Sequence, residues 1–155
     1  MIQFINNIWI ALTTENTELV SLLVLPLYPI ESLLVMSLFI TIFNISANWK
    51  QKTIYVTLNT LISIINIMLI PSPFNVFINY ISMLILIKII FKLNWLKSLI
   101  SLILPIFVIA LLNILFQHPY QRLLNIDSNI LMNTPLYRIL YLLLIYSLGL
   151  ISCIL

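Results

Sequence analysis

Five apolar runs of near-membrane length, separated by short polar connectors, restrict this chain to one solvent and one class of fold. Hydrophobic residues make up 63% of the 155 and charged residues 7%. So few charges cannot cover the surface of a water-soluble domain of this size, so the surroundings must be lipid. A helix crossing about 30 Å of hydrocarbon needs roughly 20 residues, whereas a barrel strand needs about ten with strict in/out alternation. The many β-branched residues would favour strands in water, but these runs do not alternate, and backbone in a bilayer must satisfy its own hydrogen bonds. The pattern predicts an all-α fold, a polytopic transmembrane helix bundle forming a single membrane domain over residues 1–155. About five spanning helices are expected, near residues 29–48, 54–70, 74–91, 96–116 and 135–155, with an N-terminal interfacial helix within residues 1–18.

Local signals refine this outline. Proline fits the first turn of a helix, so the first span is expected to start at Pro29, with residues 19–28, including Pro26, as a bent lead-in. Thr53 reads as the N-cap of the second span. Pro105 predicts a kink in the fourth, and Pro26, Pro29 and Pro105 are the candidate hinges. Residues 117–134 read as the long polar loop of the protein. With a single glycine, Gly-x-x-x-Gly close packing is not available, and the helices must pack through Ser, Thr, Ala and Asn. Asn59, Asn66, Asn79 and Asn113 are therefore expected to face other helices.

Tryptophan and lysine mark two of the connectors. Trp49, Lys50 and Lys52 follow the first span, and Lys88, Lys92, Trp95 and Lys97 follow the third, the pattern of interfacial anchors with snorkelling ammonium groups. The second connector has no charge, and the N-terminal segment has only Glu15 and Glu18. The positive-inside rule then predicts a multi-pass protein of the cell membrane with its N-terminus outside and the Leu155 end cytoplasmic. Arg122 and Arg138 count against this orientation and Asp127 partly offsets them. The last run stops at Leu155 without a polar or basic closing, which reads as truncation from a longer protein.

Catalysis needs convergent groups, and one His, one Cys and four carboxylates are scattered over different segments. The chain is not expected to be an enzyme by itself, nor to hold a metal or cofactor. Its cations form no stripe, which argues against nucleic acid and leaves the lipid bilayer as the expected partner. Candidate contacts to an external signal are Glu31, Asn75, His118, Tyr120, Arg122 and Asp127. Glu31 falls in the first turn after Pro29, near the outer interface, where the helix N-terminal dipole favours a carboxylate. A packed polar contact inside the bundle and a ligand contact are the alternatives for it. A lone interfacial histidine such as His118 is more often simply solvated.

Several short pieces carry a resemblance. Ala11-Leu12-Thr13-Thr14, Leu25-Pro26-Leu27 before Ile30-Glu31, Ile70-Pro71-Ser72-Pro73-Phe74-Asn75 with Phe77-Ile78-Asn79, His118-Pro119-Tyr120 with Leu123-Leu124-Asn125-Ile126, and Pro135-Leu136-Tyr137-Arg138 resemble the N-terminal membrane region of clostridial sensor histidine kinases with a GHKL-type ATPase domain, relatives of the accessory-gene-regulator quorum sensors. The likeness runs over nearly the whole chain. It implies an input module of a two-component system that detects an extracellular signal, commonly a peptide, and relays it through the last helices to a cytoplasmic kinase. It also implies a homodimer formed through C-terminal regions absent from this sequence. The departures are large: there is no phospho-acceptor histidine in a helical context, there are no ATP-binding motifs, and the final membrane helices are missing. Two other functions fit the same composition, a small membrane transport component and a non-catalytic scaffold or immunity-type membrane protein. The first needs a polar site at the membrane midplane, and the second makes no demand on the connectors.

Overall fold

The computed structural model describes residues 2–71 and 73–153, with side chains from residue 5 onward. Met1, Ser72 in the second connector, and Leu155, assigned above to the cytoplasmic side, lie outside the described residues. Among the described residues every regular element is helical: α1 (Ile2–Thr13), α2 (Thr17–Val24), α3 (Tyr28–Phe43), α4 (Trp49–Leu69), α5 (Phe74–Phe91), α6 (Trp95–Leu124), α7 (Ser128–Asn133) and α8 (Pro135–Ser152). A 3₁₀ turn, Leu25–Leu27, joins α2 to α3, so that Thr17–Phe43 is one helical segment of 27 residues. That segment and α4, α5, α6 and α8 are each long and apolar enough to cross a membrane, as a multi-pass protein requires.

Asparagine sets most of the helix boundaries. The α4 start is a capping box, in which Asn48 Oδ1 accepts from the Gln51 amide at 2.8 Å and Gln51 Oε1 accepts from the Asn48 amide at 3.1 Å. Asn16 and Asn94 cap α2 and α6 in the same way, accepting from Leu19 N at 2.9 Å and Lys97 N at 3.1 Å. At the other ends, Asn44, Lys92 and Asn125 take left-handed backbone with φ of 48°, 54° and 53°. Asparagine tolerates that conformation better than most residues, and it stands where a glycine-poor chain needs a stop.

Three sequence expectations are corrected here. The first span does not begin at Pro29, because the chain is already helical from Thr17. The Leu25 carbonyl that Pro29 leaves without its usual partner accepts instead from the Tyr28 amide, so the prolines at 26 and 29 fit a 3₁₀ turn without breaking the helix. The second span starts at Trp49 rather than near residue 54, capped by Asn48, and Thr53 Oγ1 instead donates back to Trp49 O at 3.1 Å within the helix. Residues 117–134 are not a loop either. Helix α6 runs 30 residues to Leu124, passing Pro119, and α7 occupies most of the remainder. At 1.5 Å per residue α6 is roughly 45 Å long, about 15 Å more than the hydrocarbon thickness, so its polar last turns can stand in water while remaining helical.

Helices α3 and α6 form the centre of the bundle. On one side lie α4 and α5; on the other lies α8, with α1, α2 and α7 packed against it. One apolar cluster gathers Val35, Met36, Phe39, Tyr55, Met83, Ile87, Phe91 and Leu102, and a second gathers Leu27, Leu34, Leu38, Leu131, Tyr141, Leu142, Ile145 and Tyr146. The single glycine, Gly149, is placed for close approach: a Cβ there would lie 2.7 Å from Leu34 Cδ1 across the α3–α8 contact. Outward, by contrast, point Ile65, Met68, Leu69, Phe77, Ile89 and Ile103, while Ser32, Asn59, Ser63, Ser98 and Ser101 are buried. Polar groups inside and large apolar groups outside is the distribution a lipid solvent selects.

The helices alternate in direction, and this sorts the charges. All five lysines lie at one end: Lys50 and Lys52 in the first turn of α4, Lys88 and Lys92 at the end of α5, and Lys97 at the start of α6. Gln51 Nε2 ties the first group to the second by donating to Ile90 O at 2.8 Å. Three of the four carboxylates, Glu15, Glu18 and Asp127, belong with His118, Arg122 and Arg138 to the opposite end, where the Asn16 amide donates to Asn133 O at 2.8 Å, while Glu31 lies midway along the Thr17–Phe43 segment. Lys88 Nζ sits 3.5 Å from the centroid of the Trp95 ring, a cation–π contact inside the expected anchor group.

Candidate functional site

Helix α4 turns an almost wholly polar face toward its neighbours. Its buried residues are Tyr55, Asn59, Ser63 and Asn66, spaced four, four and three apart, which places them on one stripe. The stripe has partners on two other helices: Asn59 Nδ2 donates to Ser32 Oγ of α3 at 2.7 Å, and Ser63 Oγ donates to Asn79 Oδ1 of α5 at 2.9 Å. Asn113 serves α6 similarly, its side-chain carbonyl accepting from Tyr141 of α8 at 3.0 Å. Such bonds across helices contribute about 1 kcal/mol each in a bilayer.

Toward the end opposite the lysines the stripe opens into a recess of about 200 Å³, lined by Tyr28 and Glu31 of α3, Ser63, Asn66 and Ile67 of α4, and Asn75, Val76, Asn79 and Tyr80 of α5. Glu31 Oε2 accepts a hydrogen bond at 3.2 Å from the hydroxyl of Tyr146, which belongs to α8, 115 positions later in the chain. No basic side chain lines this recess. Arg138, at the same end, is turned to Met132, 2.7 Å from its sulfur. Two buried polar atoms at the recess have no hydrogen-bond partner, Asn66 Nδ2 and Asn75 Oδ1. Asn66 is only 7% exposed, so bulk water does not readily serve it.

Glu31 and Asn75, two of the six residues singled out from sequence, therefore meet across α3 and α5. The reading of Glu31 as a carboxylate at a free helix N-terminus is corrected: the preceding turn is helical, and the side chain is a packed contact inside the bundle. His118, Arg122 and Asp127 line a second, shallower hollow of about 480 Å³ with Gln121, Asn125 and Ile126. There Asp127 Oδ1 caps α7 by accepting from Ile130 N at 2.8 Å, which accounts for that carboxylate structurally. Tyr120 lines neither space; its ring packs 5.2 Å from that of Tyr141 and its hydroxyl donates to Tyr137 O at 3.3 Å.

Sequence reasoning missed Tyr28, Ser63, Asn66, Asn79, Tyr80 and Tyr146 as parts of one site. For Ser63 and Asn66 the signal was present in the four-four-three spacing of the polar residues on α4. For Tyr146 nothing local could have pointed to Glu31.

Among the described residues a larger, mainly apolar recess of about 420 Å³ lies beside Trp49 and Lys52 at the lysine end. Leu33, Met36 and Val56 give it the character of a lipid-chain groove rather than of a site that orients a polar molecule. Groups of three or more His, Cys, Asp or Glu able to hold a metal ion are absent among the described residues. No known protein family, curated protein or solved structure matches this chain.

Proposed function

We propose that this chain is the membrane-embedded input module of a signal-transducing receptor, of the kind its sequence resembles in quorum-sensing histidine kinases. The recess between α3, α4 and α5 faces the exterior and receives the signal. The observation that carries this reading is the Glu31–Tyr146 hydrogen bond, because it ties a residue that lines the recess to α8. Helix α8 then runs to the lysine end, where Leu150 and Cys153 share a hollow with Lys52. A ligand that competes for Glu31 frees Tyr146, one turn before Leu150, and so biases the packing of the last turns of α8, which is how a two-state bundle transmits an event.

The sorting of the lysines supports the orientation, with the lysine end cytoplasmic and the recess outside. The module acts by binding, and phosphorylation belongs to a kinase region on residues beyond this sequence, through which two copies pair. A recess of about 200 Å³ takes one residue of a peptide signal rather than the whole.

The kinase region of a relative, fused after Leu155, gives the test. Phosphorylation is expected to change when culture supernatant is added, and the change is expected to be lost in Tyr146→Phe. Indifference of the fusion to every supernatant, with uptake of a labelled small molecule by proteoliposomes, would move the assignment to transport. Modification of Lys50 and Lys97 in intact cells by a membrane-impermeant amine reagent would reverse the orientation.

A further inference from the structure

Lys52 stands between two hollows that share a wall. The one beside Trp49 reaches inward between α3 and α4 to Leu33 and Thr57. The other, of about 400 Å³, lies between α3 and the end of α8 and is lined by Ile40, Thr41, Leu150 and Cys153. Met36, Ser37 and Lys52 border both, so the two form one mainly apolar groove with two limbs. From Leu33 to Thr41 it follows α3 for about 12 Å at 1.5 Å per residue, close to the hydrocarbon depth of one leaflet.

Above this apolar lining the rim is positive. Lys52 is half-buried, Lys50 lies in the same turn of α4, and the positive end of the α4 dipole adds to both. Among the described residues no Asp or Glu side chain lines either limb. Trp49, 80% exposed at the mouth, marks the headgroup level, where an indole settles in a bilayer. An anionic headgroup gains from each lysine near that level, whereas a zwitterionic one brings its own cation beside Lys50 and gains less. A free anion would leave the apolar limbs unused. A second copy, related by a twofold axis along the membrane normal, would set lysine end against lysine end.

We infer that this groove holds an anionic phospholipid of the leaflet at the lysine end, with its phosphate at Lys52 and one acyl chain in each limb. The chain in the second limb lies against Leu150 and Cys153. The groove is separate from the recess around Glu31, and the inference does not rest on the signalling reading.

Trp49 lines the groove and reports on it once Trp9→Phe and Trp95→Phe have silenced the other two tryptophans. The full chain is placed in vesicles of phosphatidylglycerol and phosphatidylcholine at equal mole fractions, with one lipid or the other dibrominated on its acyl chains. Quenching of Trp49 then gives the relative affinity of the two lipids. Phosphatidylglycerol is expected to be preferred about fivefold. Lys52→Gln is expected to bring the preference below about twofold, Lys52→Arg to keep it, and Lys50→Gln, outside the groove, to leave it above about threefold. Equal affinities in the parent would overturn the inference. So would a Lys50→Gln variant as impaired as Lys52→Gln, since that is the mark of a diffuse field rather than a site. Inorganic phosphate, exchanged for chloride at constant ionic strength, is expected to change nothing, and relief of the quenching by it would also overturn the inference. Quenching by both lipids that disappears as the protein-to-lipid ratio rises would give the groove to a second copy instead. Should Lys52→Gln lose its helical circular dichroism, Ser37→Phe, which fills the groove and leaves the lysine in place, replaces it. An unchanged preference there would be equally fatal.

Discussion

The two ends of the bundle are built from opposite materials. At the lysine end Phe39, Tyr55 and Phe91 meet edge to face, with ring centroids 5.0, 5.6 and 5.7 Å apart, and close the space between α3, α4 and α5 with apolar surface. At the other end the same three helices diverge around Glu31, Ser63, Asn66, Asn75 and Asn79, and a hollow remains. One end is packed to be stable; the other keeps polar groups that would be cheaper to replace with leucine. Buried polar atoms without a partner occur toward both ends, Asn66 Nδ2 and Asn75 Oδ1 at the recess and Tyr55 Oη and Ser101 Oγ toward the lysines, so what separates the two ends is the open space and the polar side chains that line it.

Mutations should separate the two ends by sign as well as by size. The largest effect is expected from Phe39→Ala, which opens a void in the aromatic cluster and should destabilise the fold by about 3 kcal/mol, read as a lower midpoint in a denaturing-detergent titration. A result near zero would mean that the lysine end is not the rigid one. Next comes Gly149→Val, in the last turns of α8, which drives a side chain into Leu34 and should cost about 2 kcal/mol in the same titration. Asn66→Leu at the recess is expected to go the other way, leaving the midpoint unchanged or raising it by up to about 1 kcal/mol, since it removes a buried donor that has no partner. A loss comparable to that of Phe39→Ala would show that Asn66 holds the bundle together, and the contrast between the ends would fall. The smallest change is assigned to Lys88→Ala, which removes the ammonium from the Trp95 ring and should cost about 0.5 kcal/mol, visible chiefly as a shift in Trp95 fluorescence.

Much of the architecture was legible from residue order. Chain segments that must satisfy their own backbone in lipid leave little choice of secondary structure, so the helix class and the existence of five spans follow from apolar length. Lysine and tryptophan marked the connector at Lys88 to Lys97 because an ammonium on a long stem is tolerated only where it reaches water. Boundaries were less legible. Pro26 and Pro29 read as a bent lead-in and a helix start, yet they fall where the lost hydrogen bond is replaced by a 3₁₀ bond. Polar composition makes residues 117–134 read as a loop, although the end of a helix that emerges from a membrane into water is polar for the same reason.

The candidate site was half visible. Glu31 stood out by charge alone, and the spacing of Asn59, Ser63 and Asn66 was available to be read as one face of a helix. What sequence by itself determined is the solvent, the helices and the sorting of charge to two ends, because those follow from the transfer energies and periodicity of neighbouring residues. Only the tertiary structure decided that Glu31 faces Asn75 and Tyr146, and that Asn66 is left without a partner. Those pairings depend on how three or four helices are rotated about their own axes, and that rotation is set by packing among residues far apart in the chain.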